Sequence, residues 1–278
     1  MVGAEAHGPP GAALSEPVFR REGDAFVPTG HARGPWDPGQ LHGGAPSALI
    51  AEAVQEEGYL VARLTIDFLA PVPMAPLTVT ARTIKPGRNV QLAEAEMHAD
   101  GRLVLHARAT RLRRGRVELP ADVSEAAPAE PGGVGGVGGP ESGHPDPFPV
   151  HDGHVEGFHR TAMDIRFLGD SGFGLGPALV WFRLRRPLVD DQWPSPLARA
   201  VAAADFGNGV SRVVEFGSYL FVNTDLTVHL HREPVGEWVL LDARTRLEAH
   251  GAGLAQSILS DERGQLGLAA QSLFVASR

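Results

Sequence analysis

Four short stretches of this chain concentrate the side chains that could move a proton or hold a ligand. The first is "DFGNG" (205–209), where Asp205 ends an alanine-rich run. A carboxylate in an apolar setting has its pKa raised and becomes a better base for water, whereas at a loop the same residue caps or solvates the turn. Both readings stay open. The second is "LHGG" (41–44), with His42, Gly43 and Gly44 just before an apolar run. Backbone N–H groups unshielded by side chains can polarise a carbonyl oxygen there; equally, the glycines allow a helix entry to pack closely on a sheet. The third is "LTVHLHREP" (226–234), a strand pattern with His229 and His231 on one face and Leu226, Val228 and Leu230 on the other. Two histidines do not make a metal site without a third ligand, and none stands at useful spacing, so neither a metal nor a cofactor is expected. The fourth is "RLRRGR" (111–116), which reads either as a solvated strand end or as a contact for an anionic ligand.

Several chemistries are excluded at once. The chain has no cysteine, which removes disulfides, thiolate catalysis and cysteine-bound metals. No G-x-S-x-G elbow exists; in "GDSGFG" (169–174) Phe173 stands where the second glycine belongs. Direct attack by an activated water is the hydrolytic route that remains. A net charge of −8 argues against a nucleic-acid footprint. No apolar run approaches the roughly 18 residues of a membrane span, and the N-terminus lacks the pattern of a signal peptide, so a cytoplasmic protein is expected.

What must position these groups is legible as a repeat. The 278 residues are 43% hydrophobic, enough for a substantial core. Residues 1–16 read as a frayed tail and 119–149, rich in Pro, Gly, Ala and acid, as a flexible linker. That leaves ordered segments at 17–118 and 150–278. "LTIDFLAPVPMAPLTVTARTI" (64–84) lies over "LTVHLHREPVGEWVLLDARTR" (226–246) without a gap, and after one inserted residue "DGRLVLHARA" (100–109) falls on "RGQLGLAAQS" (263–272). Each copy carries a short strand ("AFVPT", 25–29; "ALVWFRLRRP", 178–187), then a helix (43–57; 195–207), then three or more alternating strands. One helix plus about five antiparallel strands must bury the helix against a sheet face. The expected fold is α+β, a tandem or double hot-dog in which each sheet wraps a central helix.

"LHGGAPSALIAEAV", "IKPGRNVQLAEAEMHADGRLVLHARAT", "AAADFGNG", "NTDLTVHLHREPVGEWVLLDA" and "GLAAQSLFV", in this order, resemble the TesB-like acyl-CoA thioesterases. The resemblance implies hydrolysis of acyl-CoA by a water held between an Asp, a Thr or Ser, and a Gln. These fall on Asp205, on Asn223 with Thr224 beside it, and on Gln271. Asn223 stands where a hydroxyl is expected, and Thr224 serves only if the strand phase differs by one. The "H-R" at His231 and Arg232 matches a family pair that is structural or pocket-lining, and His42, Gly43 and Gly44 line the acyl-CoA site. The first copy is then scaffold and part of the acyl pocket, with the chemistry in the second. The single hot-dog pattern, with an acid nine residues after the His and an Asn six before it, is broken here by Ala51 and Trp36. A catalytically silent acyl-CoA-binding protein and a hot-dog hydratase are the alternatives; the hydratase wants a His shortly after Asp205 and Asn208 that is not there. Open sheet edges favour a homodimer or higher assembly.

Overall fold

The computed structural model describes residues 16–120, 138–146 and 156–278; the rest of the expected tail and most of the expected linker lie outside them. The first repeat runs β1 (Phe19–Glu22), β2 (Ala25–Pro28), α1 (Gly44–Ala53), β3 (Tyr59–Phe68), β4 (Leu77–Lys85), β5 (Val90–Ala99) and β6 (Arg102–Arg113). The second runs β7 (Met163–Phe167), β8 (Ala178–Leu184), α2 (Pro196–Ala204), α3 (Gly207–Val210), β9 (Tyr219–Asn223), β10 (Asp225–Leu230), β11 (Val239–Leu247), β12 (Ala252–Asp261) and β13 (Gly264–Ser277).

Both long helices are shorter than their apolar runs suggested, and each is built to be buried. α1 is apolar almost all round, with Ala45, Ala48, Leu49, Ile50 and Ala51 in the core. Pro46 sits in its first turn, where no backbone donor is lost. α2 begins at an N-cap, Ser195, whose hydroxyl accepts from Ala198 N at 3.1 Å. The two helices lie antiparallel: Gly44 abuts Ala202 O, and at the other end Glu52 Oε1 accepts from Ser195 N at 2.7 Å. Burial pushes the Glu52 carboxyl above its ordinary range, opposed by the hydrogen bonds from Ser195 and Gln55.

The strands form one antiparallel sheet ordered β1-β2-β4-β5-β6-β3-β10-β13-β12-β11-β8-β7, with β9 also on β13. The two halves mirror each other in order, so the tandem hot-dog fold stands, and a single hydrophobic core runs through both. They meet where β3 pairs with β10, and the central pair is Thr65 with Thr227, the same position of each repeat. Their hydroxyls lie 3.2 Å apart, which marks an internal two-fold axis.

Register repeats as closely as order does. Ala81 pairs with Ala95 and Ala93 with Ala109; Ala243 pairs with Ser257 and Ala255 with Gln271. The bulge between Met97 and His98 recurs between Leu259 and Ser260. The expected one-residue insertion is therefore absent: Gln271, not Ser272, takes the place of Ala109. A second shared bulge falls at Ala62 in the first repeat, and at Thr224 in the second, where pairing to β13 slips by one between Asn223 and Thr227.

Residues 138–146, within the expected linker, are docked on the sheet. His144 exchanges backbone hydrogen bonds with Phe167 at 2.9 and 2.8 Å, and Trp181 Nε1 donates to Gly138 O at 3.1 Å. The arginine cluster is structural at its first member. Arg111 is buried and donates to Val54 O, Glu56, Thr83 and Gln91 at 2.5–3.2 Å, neutralising the C-terminal end of α1. Arg114 pairs with Glu233 across the repeats. Replacing Arg111 by Met strands these acceptors and is expected to lower stability by about 1.5–3 kcal/mol in urea unfolding; Arg113→Met, at an exposed position, is expected to change it by less than about 0.5 kcal/mol.

Candidate active site

Asp205 is the C-cap of α2, where the helix breaks into the short turn of α3. The break aims its side chain back across the sheet, and the residue is only 5% exposed. A carboxylate so removed from water needs partners, and three side chains supply them. Asn223 Nδ2 donates to Oδ1 at 3.0 Å, Gln271 Nε2 lies 3.4 Å from Oδ1 and 3.2 Å from the backbone oxygen, and His42 Nδ1 lies 3.0 Å from Oδ2. Gln271 is itself oriented, because Asn208 N donates to its Oε1 at 3.0 Å. His42 rests on Phe206 at 4.3 Å between ring centroids.

The bulge at Thr224 decides which residue faces Asp205. Strict alternation from Leu226 would turn Thr224 inward; the slipped register instead aligns Asn223 with buried Phe221 on the core side. Thr224 is exposed at the cavity rim and its hydroxyl donates to Ser272 O at 3.3 Å, away from Asp205. His231 is not brought to the site. It is exposed beyond the far end of β10, about 20 Å along from Asp225 at roughly 3.3 Å per residue, because the strand runs away from the cavity. His229 is likewise exposed on the outer face.

The floor made by Asp205, His42, Gly43 and Asn223 closes a cavity of about 610 Å³ whose walls are mainly apolar, including Trp36, Phe68, Val72, Phe206 and Val210. Trp36 stacks on Phe216 at 4.1 Å, with the Arg278 guanidinium over both rings. Arg212 also lines the cavity; its guanidinium donates to Phe173 O, and burial holds its pKa below the ordinary value. The two repeats meet in the site: His42, from the first, touches Asp205, from the second. Sequence reading had singled out both residues without pairing them, since the contact depends on how α1 and α2 cross. At the positions matching Asn223 and Gln271 the first repeat has Val61 and Ala109, both buried and apolar, so the polar set occurs once.

Two family models match this chain: the acyl-CoA thioesterase N-terminal domain over residues 32–112 and the C-terminal domain over residues 140–275. The chain belongs to the acyl-CoA thioesterase family. Its reaction is hydrolysis of acyl-CoA thioesters. Solved structures share the fold of this thioesterase across nearly the whole chain. One, a candidate thioesterase from Novosphingobium aromaticivorans, is 24% identical with a TM-score of 0.68, covering 94% of this chain and 99% of its own. The tesB protein of Mycobacterium avium subsp. paratuberculosis is 17% identical with a TM-score of 0.60, covering 93% and 96%. The acyl-CoA thioesterase II TesB2 of Mycobacterium marinum is 17% identical with a TM-score of 0.57, covering 93% and 94%. Among curated proteins no sequence matches. Among the described residues no helix is long and apolar enough to cross a membrane.

Gly43 is tied to Asp205 by space. A Cβ there would sit 2.8 Å from Asp205 Oδ2 and 2.9 Å from Oδ1. Gly43→Ala is expected to push the carboxylate aside and cut acyl-CoA turnover by about 10²-fold, with far-UV circular dichroism unchanged.

Proposed function

We propose that Asp205 is the general base of acyl-CoA hydrolysis, with Gln271 and Asn223 fixing it and its water, and His42 holding the second carboxylate oxygen. The observation that carries this reading is the buried Asp205 carboxylate, held from three sides at the floor of an apolar cavity. The acyl chain occupies the apolar walls and brings the thioester carbonyl to the floor. Asp205 takes a proton from water as the oxygen adds to the carbonyl carbon. The resulting oxyanion faces the first turn of α1, where Gly43 and Gly44 bring unshielded backbone and the positive end of the helix close. Collapse breaks the C–S bond, and the Asp205 proton passes to the coenzyme A thiolate, giving the free acid and the thiol.

His42 Nδ1 has a choice of partners. It lies 3.0 Å from Asp205 Oδ2 and 3.1 Å from Gly44 N. With a proton on Nδ1 it donates to the carboxylate, and the Gly44 N–H is released towards the oxyanion. Asn223 supplies a fixed amide donor where the family pattern has a hydroxyl, so its contribution is orientation rather than proton transfer.

In a chain-length series of acyl-CoA substrates, Asp205→Asn is expected to lower kcat by about 10²–10⁴-fold with little change in KM. Asn223→Ala should lose at least about tenfold and Thr224→Ala less than about twofold. Parental turnover in Asp205→Asn would remove the carboxylate from the mechanism, and hydration of an enoyl-CoA by the parent would reassign the reaction.

The same reading includes a homodimer. The outer face of β12 and β13 exposes Leu254, Ile258, Leu268 and Phe274 by 39–52%. The matching face of the first repeat carries ions instead, with Glu94 bridging Arg82 and His106. Sedimentation velocity is expected to give a dimer for the parent and monomer for Leu268→Arg; a monomeric parent would refute the assembly.

A further inference from the structure

Away from the cavity, three electron-pair donors converge where the two repeats meet. Glu16 leads into β1, His31 lies in a single 3₁₀ turn (Gly30–Ala32), and Glu156 precedes a helical turn at Phe158–Ala162. One ligand atom from each lies within 4.8 Å of the other two, and His31 Nε2 is 3.4 Å from Glu16 Oε2. That separation is about the edge of a tetrahedron with bonds of roughly 2.1 Å.

The contacts around His31 fix which of its nitrogens faces the carboxylates. Thr161 Oγ1 lies 2.8 Å from His31 Nδ1 and is itself held by Gly157, accepting from its N at 3.2 Å and lying 3.0 Å from its O. This contact orients the ring so that Nε2 points to the Glu16 carboxylate, where a metal ion would replace the Nε2 proton while Nδ1–H donates to Thr161. His31 is 3% exposed, and burial, reinforced by Arg186 and opposed by Glu156 and Glu16, holds the ring's pKa below its ordinary value. Neutral imidazole whose other nitrogen donates to a fixed oxygen is the form in which histidine binds metals.

The space is also kept. A Cβ at Gly30 would come within 1.9 Å of Glu156 Oε2, so only glycine lets that carboxylate lie beside His31. Of the neighbouring cations, Arg20 pairs with the other Glu16 oxygen at 2.5 Å. Arg186 spends its donors on the carbonyls of Thr161 and Glu16, at 2.6 and 3.0 Å. Neither donates to Glu16 Oε2, the oxygen nearest His31 Nε2.

We propose that Glu16, His31 and Glu156 bind a divalent transition-metal cation, with zinc the best match to one imidazole and two carboxylates. Calcium and magnesium prefer all-oxygen sets, so the imidazole selects against them. A bound ion would clip the start of the first repeat to the start of the second. It would also brace the catalytic wall, because the same loop continues through Ala32, whose carbonyl accepts from His42 N, and Arg33, whose carbonyl accepts from Phe158 N.

The full chain, freed of metal with a chelator, is titrated with zinc by calorimetry and with cobalt(II) by visible absorption. The expected result is one zinc per chain, tetrahedral cobalt bands, and a melting temperature higher by roughly 5 °C at a hundredfold excess over Kd. Glu16→Gln and Glu156→Gln keep the shape of the site and should each weaken zinc binding at least about tenfold while leaving the metal-free melting temperature unchanged. Glu118→Gln, away from the cluster, should leave binding as in the parent. Absence of saturable one-to-one binding, or binding that both carboxamide variants retain at parental strength, would overturn the assignment.

Discussion

A carboxylate taken out of water must be paid for locally, and the Asp205 site is organised around that requirement. Its partners come from three places that only the complete fold brings together: the entry to α1, the end of β9 and the middle of β13. Gln271 is in turn held by the backbone of α3, and His42 by the rings of Phe158 and Phe206. Neither repeat could assemble the set alone. The joining of β3 to β10 about Thr65 and Thr227, which merges two sheets and two helices over one core, is thus a condition of the proposed chemistry as well as of stability.

The fold was largely legible because its signals are local or periodic. Alternating strands, a serine cap before α2, and the Leu-Thr and Ala-Arg-Thr matches between copies each report on a short stretch, and each agrees with the observed register. What misled was the treatment of irregularities. The hairpin bulges at Met97/His98 and Leu259/Ser260 are the same in both copies, yet low identity around the turns made an insertion look necessary. The bulge at Thr224 is different, because the resemblance places Asn223, and Thr224 only on a shifted phase, at the inward position. Parity counted backwards from Leu226 cannot see an extra residue, and that one residue separates an inward Asn223 from an outward Thr224.

The site was legible by residue type and illegible by contact. Asp205, Gln271, Asn223, His42 and Gly43 all stand out in the sequence, but nothing along the chain says that positions 42 and 205 touch. Their meeting depends on the antiparallel crossing of α1 and α2 and on glycines at 43 and 44 that leave no side chain between them. His231 shows the opposite error. A motif match carried it towards the site, while its place beyond the end of a strand running outwards puts it in solvent. The arginines at 111–116 divide in a similar way, since burial makes the first a helix-end counter-ion.

The internal two-fold also has an evolutionary reading. In a pair of identical subunits any change at one active centre is copied to its twin, so scaffold and chemistry must be improved together. Joined in one chain, the two copies can diverge. Val61 and Ala109 fill with hydrocarbon the positions that Asn223 and Gln271 fill with amides, while the first repeat lends its helix entry as a wall for the second. Such a chain can line one pocket with unlike walls from its two halves. It is a specialisation that exact symmetry forbids.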